Sequence, residues 1–224
     1  MTPLLSRTIA TAVLAAAAGT ACTSATRSPA NAAVRPAAGP LVPGAKPAAP
    51  DGRYPYTRAD VHFMTGMIAH HAQAVVMAGW AASHGASAAL QRLCERIVVG
   101  QTDEIGLMQT WLGDRGEAVP SANATRMKMK MGGMEHEMLM PGMLTDEEMG
   151  ALDKARGVEF DRLFLLGMIK HHQGAIDMVN ELNASPGAAQ DDIVFKFSND
   201  VYIDQTTEIE RMQKMLTSLQ GPPR

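Results

Sequence analysis

A duplicated phrase constrains this chain more than any other feature. Gly66-Met67-Ile68-Ala69-His70-His71 returns 101 residues later as Gly167-Met168-Ile169-Lys170-His171-His172. The correspondence runs outward, with Asp60 answering Asp161, Phe63 answering Phe164, Ala74 answering Ala175 and Met77 answering Met178. Gln101 to Met108 reappears as Gln205 to Met212, now offset by 104 residues. An internal duplication with a short insertion accounts for both offsets, so the second half must repeat the unit the first half forms.

That unit reads as a helical hairpin. Thr57-Arg58-Ala59-Asp60 opens a helix whose apolar positions Val61, Met64, Ile68, Val75 and Ala78 return every three or four residues until Gly85. Ser87 caps a second helix carrying Leu90, Leu93, Ile97, Ile105, Met108 and Leu112, which Gly113 and Gly116 end. In the second half Thr145 and Glu148 stand at capping-box spacing before a short helix to about Arg156. After Gly157 follow a helix from Val158 to about Asn183, a turn at Ser185-Pro186-Gly187 and a final helix from about Ala189 to Leu219. Each hairpin alone leaves an apolar stripe exposed, so the two are expected to close into an all-α four-helix bundle. With aromatics at 4%, no sheet is expected anywhere.

The domain organisation follows. Residues 1–22 read as an export signal, with Arg7 ahead of an apolar stretch too short to span a bilayer. Cys22 stands where a lipoprotein signal places its lipidated residue, and a plain cleaved secretory signal is the alternative. Residues 23–53, rich in Ala and Pro, read as a flexible tether. Residues 54–219 form the duplicated domain: a first hairpin at 54–114, a Met-rich loop at 115–144, and the short helix with the second hairpin at 145–219. A net charge of −3 with a pI near 6.2 offers no basic face for nucleic acid. With Cys22 lipidated, Cys94 has no partner for a disulfide and reads as a buried small apolar residue.

Residues three and four apart share a helix face, so Met67, His70, His71 and Met77 lie along one broad stripe, as do Met168, His171, His172 and Met178. Adjacent histidines diverge by about 100°, so neither pair is a ready chelate and further ligands must come from other helices. Glu104 with Met108 and Glu208 with Met212, each pair four apart, are the nearest candidates. Against this stands the simpler view that the methionines fill core and the histidines are hydrogen-bonded to Asp60, Asp161 or the glutamates. Thioether and imidazole donors together favour copper, above all Cu(I); iron or manganese is the alternative, with Glu104 and Glu208 in a di-metal oxidase or peroxidase.

Seven of the 17 methionines fall between the halves: Met127, Met129, Met131, Met134, Met138, Met140 and Met143, with His136 among them. Their Lys, Glu and Gly neighbours point to an exposed loop, where such spacing suits a cation taking two to four soft ligands.

These residues resemble the family catalogued as domain of unknown function 305, whose recurring phrase joins an Asp, a Phe and a Met-Ile-x-His-His block running into Ala and Met. The match covers both halves; Lys170 departs from the small or apolar residue expected inside the second block. The resemblance implies a ferritin-like fold and periplasmic or cell-surface copper binding, with partner proteins that handle copper. The resulting expectation is an exported, lipid-tethered protein that buffers or hands over copper. A metal-free interaction bundle of the cell envelope is the remaining rival.

Overall fold

The computed structural model describes residues 55–219 apart from Gly132 and the side chains of Lys130 and Met131; the expected export signal, Cys22 and the whole of the expected tether lie outside the described residues. Helix α1 (Arg58–Gly79) and α2 (Ala88–Gly113) form the first half, and α3 (Asp146–Lys154), α4 (Val158–Ala184) and α5 (Asp192–Leu219) the second. α1 packs along α2 and α4 along α5, and the halves meet through α1 against α4. The architecture is thus mostly helical and built twice over. Among the described residues no helix is long and apolar enough to cross a membrane.

Local chemistry sets the helix ends. Thr57 and Asp60 close a reciprocal capping box on α1, as Thr145 and Glu148 do on α3. Ser87 accepts the Leu90 N–H at the start of α2. α1 stops at Gly79, short of Gly85, because Trp80 and Ala81 turn back to Met77 and Ala78 through i→i−3 bonds and Gly85 takes φ +68. α5 begins at Asp192, later than the sequence suggests: Ala189 has φ +54, and Asp191 Oδ1 accepts the Ile193 and Val194 N–H groups as a cap.

The duplicated aspartates fasten one half to the other. Asp60 accepts from Thr57 N at 2.7 Å and, across the molecule, from Ala189 N at 2.7 Å. Asp161 accepts from Ser87 N at 3.1 Å. Each carboxylate therefore holds the chain just ahead of, or at, the start of the other half's second long helix. Asp60 is fully buried, so Asp60→Ala should leave two backbone donors without partners and cost about 2–4 kcal/mol of unfolding free energy in urea titrations. A change below about 0.5 kcal/mol would contradict this tie.

The expectation of an all-α chain fails between the halves. Met127–Met131 (β1) and Met134–Met138 (β2) pair antiparallel, with Met127 opposite Met138, Met129 opposite His136 and Met131 opposite Met134. The alternation Met-Lys-Met-Lys-Met, Gly-Gly, Met-Glu-His-Glu-Met has period two and a two-residue glycine turn, which is hairpin grammar. Cross-strand partners share a face, so the register puts Met127, Met129, Met134, His136 and Met138 on one side and Lys128, Glu135 and Glu137 on the other. Lys128 bridges Glu135 at 2.9 Å and Glu137 at 3.5 Å on the charged side.

After β2, residues 139–144 form a strap across α1 and α4. Gln73 Nε2 donates to the Leu144 carbonyl at 2.9 Å, and Leu144 N donates to Gln73 Oε1 at 2.7 Å. Gly142, at φ +75, lies directly on α4: a Cβ there would meet the Lys170 carbonyl oxygen at 2.5 Å, and one on Gly174 would collide with the Pro141 carbonyl. Met127, Met140 and Met143 are buried, which corrects the expectation of an exposed loop. The strap sits over the duplicated motif.

Candidate metal centre

Both histidine pairs lie inside the protein. His70, His71, His171 and His172 are each 0% exposed, so no pair splits between core and rim. The inner members meet: the His70 and His171 rings lie against each other at a 40° tilt with centroids 3.7 Å apart, while the rings within each pair stand 6.2 Å apart. The outer members turn to the duplicated glutamates. His172 Nε2 lies 2.7 Å from Glu208 Oε2 in a well-formed hydrogen bond, and His71 Nε2 lies 2.7 Å from Glu104 Oε2 in a contact poorly aligned for one. Asp60 and Asp161 are spent on backbone N–H groups, so the expectation that they serve the histidines is not met.

Polar satisfaction is incomplete here. His70 Nε2 faces the Pro141 carbonyl at 3.0 Å, but Nδ1 of all four rings and Nε2 of His171 are buried without a hydrogen-bond partner. Each such atom costs about 1–3 kcal/mol if nothing satisfies it. Electrostatics point the same way. Burial, then the proximity of the His71 imidazole, holds His70 well below the ordinary imidazole range, against the pull of the Pro141 carbonyl. Burial and then His70 do the same to His171. His172 is also lowered, by burial ahead of the opposing Glu208. These are neutral imidazoles with lone pairs available, the form that binds a metal.

Thioethers flank the layer on both sides, and the duplication orders them. Met67, Met108 and Met178 share one apolar cluster; Met168, Met212 and Met77 share the other. Glycines make this reciprocity fit: a Cβ on Gly66 would meet Met178 Cε at 3.3 Å, and one on Gly167 would meet Met77 Cε at 3.5 Å. All six methionines are at most 4% exposed. Met140 of the strap joins the first cluster, its Sδ 3.3 Å from that same Gly66 position.

Apart from Met129, half-buried against the first apolar cluster, and Met131, whose side chain lies outside the described residues, the expected donors fall into three groups. The long helices gather the histidines with Met67, Met77, Met108, Met168, Met178 and Met212 and bring Glu104 and Glu208 to the outer rings. The strap and β1 send Met127, Met140 and Met143 into the core. Met134, His136 and Met138 stay exposed on β2, with Met134 65% accessible, and are not brought to the histidines. Among the described residues no three His, Cys, Asp or Glu side chains converge as a ready-made ion cage. Cys94 is buried and its thiol is pushed up to about 12, first by burial and then by Asp161, which makes it an inert core residue.

Three participants escape the sequence reasoning: the Pro141 carbonyl, Gln73 and Asp204. Gln73 and Gly174 occupy equivalent positions, and that break in the repeat marks where the strap crosses. Lys170, the other break, reaches Glu148 of α3 at 2.7 Å. Asp204 has Gly100 as its counterpart in the first half. It lines a cleft of about 230 Å³ between α2 and α5, together with Gln101, Glu104, Gln205 and Glu208.

Known proteins share this architecture. A Streptomyces coelicolor DUF305 protein described as secreted aligns at 25% identity with a TM-score of 0.60, over 74% of this chain and 96% of its own. A DUF305 fragment from Deinococcus radiodurans aligns at 26% identity and a TM-score of 0.58, over 74% and 99%. CopM in its Cu(I)-bound form aligns at 26% identity and a TM-score of 0.54, over 72% and 98%; its structures also include Cu(II)-bound and Ag-bound forms. No curated protein matches significantly. The model of the family called domain of unknown function (DUF305) matches residues 60–216, and the chain belongs to that family.

Proposed function

We propose that this is an exported copper-binding protein that sequesters, buffers or hands over the ion and so supports copper tolerance. One observation carries the reading: four fully buried histidines hold ring nitrogens without partners, between two clusters of buried thioethers. An interior hydrogen-bonded for its own sake would leave few such atoms. A soft monovalent ion takes imidazole and thioether donors in preference to carboxylates, which matches what the layer contains. CopM, a relative of similar architecture, is known in copper-bound and silver-bound forms, which supports the same assignment.

In this reading His70 and His171 are the central ligands, with Met67, Met108 and Met178 on one side and Met77, Met168 and Met212 on the other, all within a ferritin-like four-helix bundle. The methionines and His136 of the β-hairpin are the outer, first-contact donors. Pro141 and its neighbours cover the layer and slow exchange with solvent. The secreted description of the Streptomyces relative supports an extracytoplasmic setting, and Cys22 would tether the domain to a membrane.

The direct test is competition of the mature chain against a Cu(I) chelator, repeated with Ag(I). His70→Gln/His171→Gln should weaken both ions by roughly 100-fold or more, since it removes the two central nitrogens. Equal affinity in wild type and variant would refute the assignment.

A further inference from the structure

We infer that the cleft between α2 and α5 is a second metal site, for a divalent first-row transition ion, with Glu104, Glu208 and Asp204 supplying carboxylates and His71 and His172 supplying Nε2. It rests on the copper reading only for the idea that one element is stored in two oxidation states, and its chemistry stands apart from the thioether interior.

The fold makes the opening. α1 and α4 are in contact along the middle of the molecule, whereas α2 and α5 are not packed along each other, which leaves the cleft of about 230 Å³. Its walls carry three carboxylates against one guanidinium, Arg96, which is 55% exposed and 3.8 Å from Glu208 Oε1. The negative field is felt locally: the Asp204 carboxyl is pushed upward by partial burial and then by Glu104, Asp200 and Glu208.

Acidic walls alone would not make a site. Gln101 and Gln205, each only 4% exposed, also line the cleft. Both amide atoms of Gln101 and Oε1 of Gln205 are buried without a partner. Duplicated, buried, unsatisfied amides beside carboxylates suit a bound ion and its water ligands, which donate to Oε1 and accept from Nε2. Behind them stand His71 and His172, fully buried, each Nε2 2.7 Å from a glutamate oxygen.

Donor chemistry selects the ion. The cleft lining contains no sulfur, and imidazole nitrogen with carboxylate oxygen favours divalent first-row ions over Cu(I) or Ag(I). A gap of 2.7 Å fits a proton, whereas an ion needs about 2.0–2.2 Å on each side. Glu104 and Glu208 line the opening at 24% and 16% exposure and have room to rotate outward. Nδ1 is unpartnered in both histidines and can carry the ring proton, which leaves the Nε2 lone pair for the ion.

The test titrates the full mature chain with Zn(II), which is redox-silent, against a chelating dye, with Ag(I) in parallel. Wild type should hold Zn(II) whether or not Ag(I) is loaded. Glu104→Gln/Glu208→Gln should weaken Zn(II) by roughly 10- to 100-fold and change Ag(I) by less than about twofold. Unchanged Zn(II) affinity, or mutual displacement of the two ions, overturns the site. If that variant does not fold, Asp204→Asn, which touches no histidine, should weaken Zn(II) severalfold. Anomalous diffraction from a Zn(II)-soaked crystal must then place the ion between α2 and α5, and a peak elsewhere overturns the proposal. Zn(II) binding without Ag(I) binding would refute the copper store and leave the cleft standing; the reverse would refute the cleft alone.

Discussion

Gly174→Ala should destabilise the protein, although the same exchange at an open helical position stabilises one. Alanine in a helix interior is favoured over glycine by about 1 kcal/mol. At Gly174 the new methyl group would collide with the Pro141 carbonyl and lie 2.6 Å from Gly142 Cα, both backbone atoms that cannot rotate away. Either the strap lifts off or α4 bends. Overpacking of this kind costs about 1–3 kcal/mol or more, so the melting temperature should fall by roughly 3–10 °C. Gly106 of α2 is the control, exposed and with nothing within 4 Å of where a methyl group would stand, and Gly106→Ala should raise stability by about 0.5–1 kcal/mol. Opposite signs for one chemical change isolate the strap contact. A Gly174→Ala protein as stable as wild type would mean that residues 139–144 do not dock on α4.

The second large effect is acid lability of the metal-free protein. His70, His171 and His172 are held below their ordinary value of 6.5, chiefly by burial. Between that value and the lowered folded values, the unfolded chain binds protons that the folded chain refuses. Stability is therefore fully present above about pH 6.5 and falls as pH drops. Three such histidines give a limiting slope of about 4 kcal/mol per pH unit. Urea titrations from pH 7.5 to 5 should show the midpoint falling, with the steep part beginning near pH 6.5, and His171→Gln should flatten the slope by about a third. An ion on these nitrogens competes with protons, so loading with Ag(I) should move the fall to lower pH. A flat profile would contradict the buried neutral histidine layer.

How much of this is legible in the sequence depends on the range of the interaction. Thr57, Ser87 and Thr145 mark helix starts because a cap is settled within four residues, and all three act as their spacing implies. The repeat correctly foretells two equivalent helical halves. The hairpin is legible too, in the period-two run from Met127 to Met138, but the Lys, Glu and Gly content of that run points to a mobile loop, and there periodicity is the better guide. Met127 of that run and Met140 and Met143 of the strap are core, because residues 139–144 carry Met140 and Met143 inward while β1 carries Met127.

Other features have no local signal. That Asp60 would bind Ala189 N, 129 residues away, is decided only when α1 meets the turn before α5. Helix geometry shows that adjacent histidines diverge, but not that all four would be buried or that the His70 ring would lie against His171. The Gln-x-x-Glu repeats are visible as text; their convergence on one cleft is not.

By itself, then, the sequence determined the duplicated helical units, their caps and the supply of soft donors, because these depend on spacing along one helix or strand. Which rings touch, which nitrogens go without partners and which carboxylates share a cleft were decided by how α1 packs against α4 and how α2 stands away from α5. Those are contacts between residues far apart in the chain, and no periodicity within a segment encodes them.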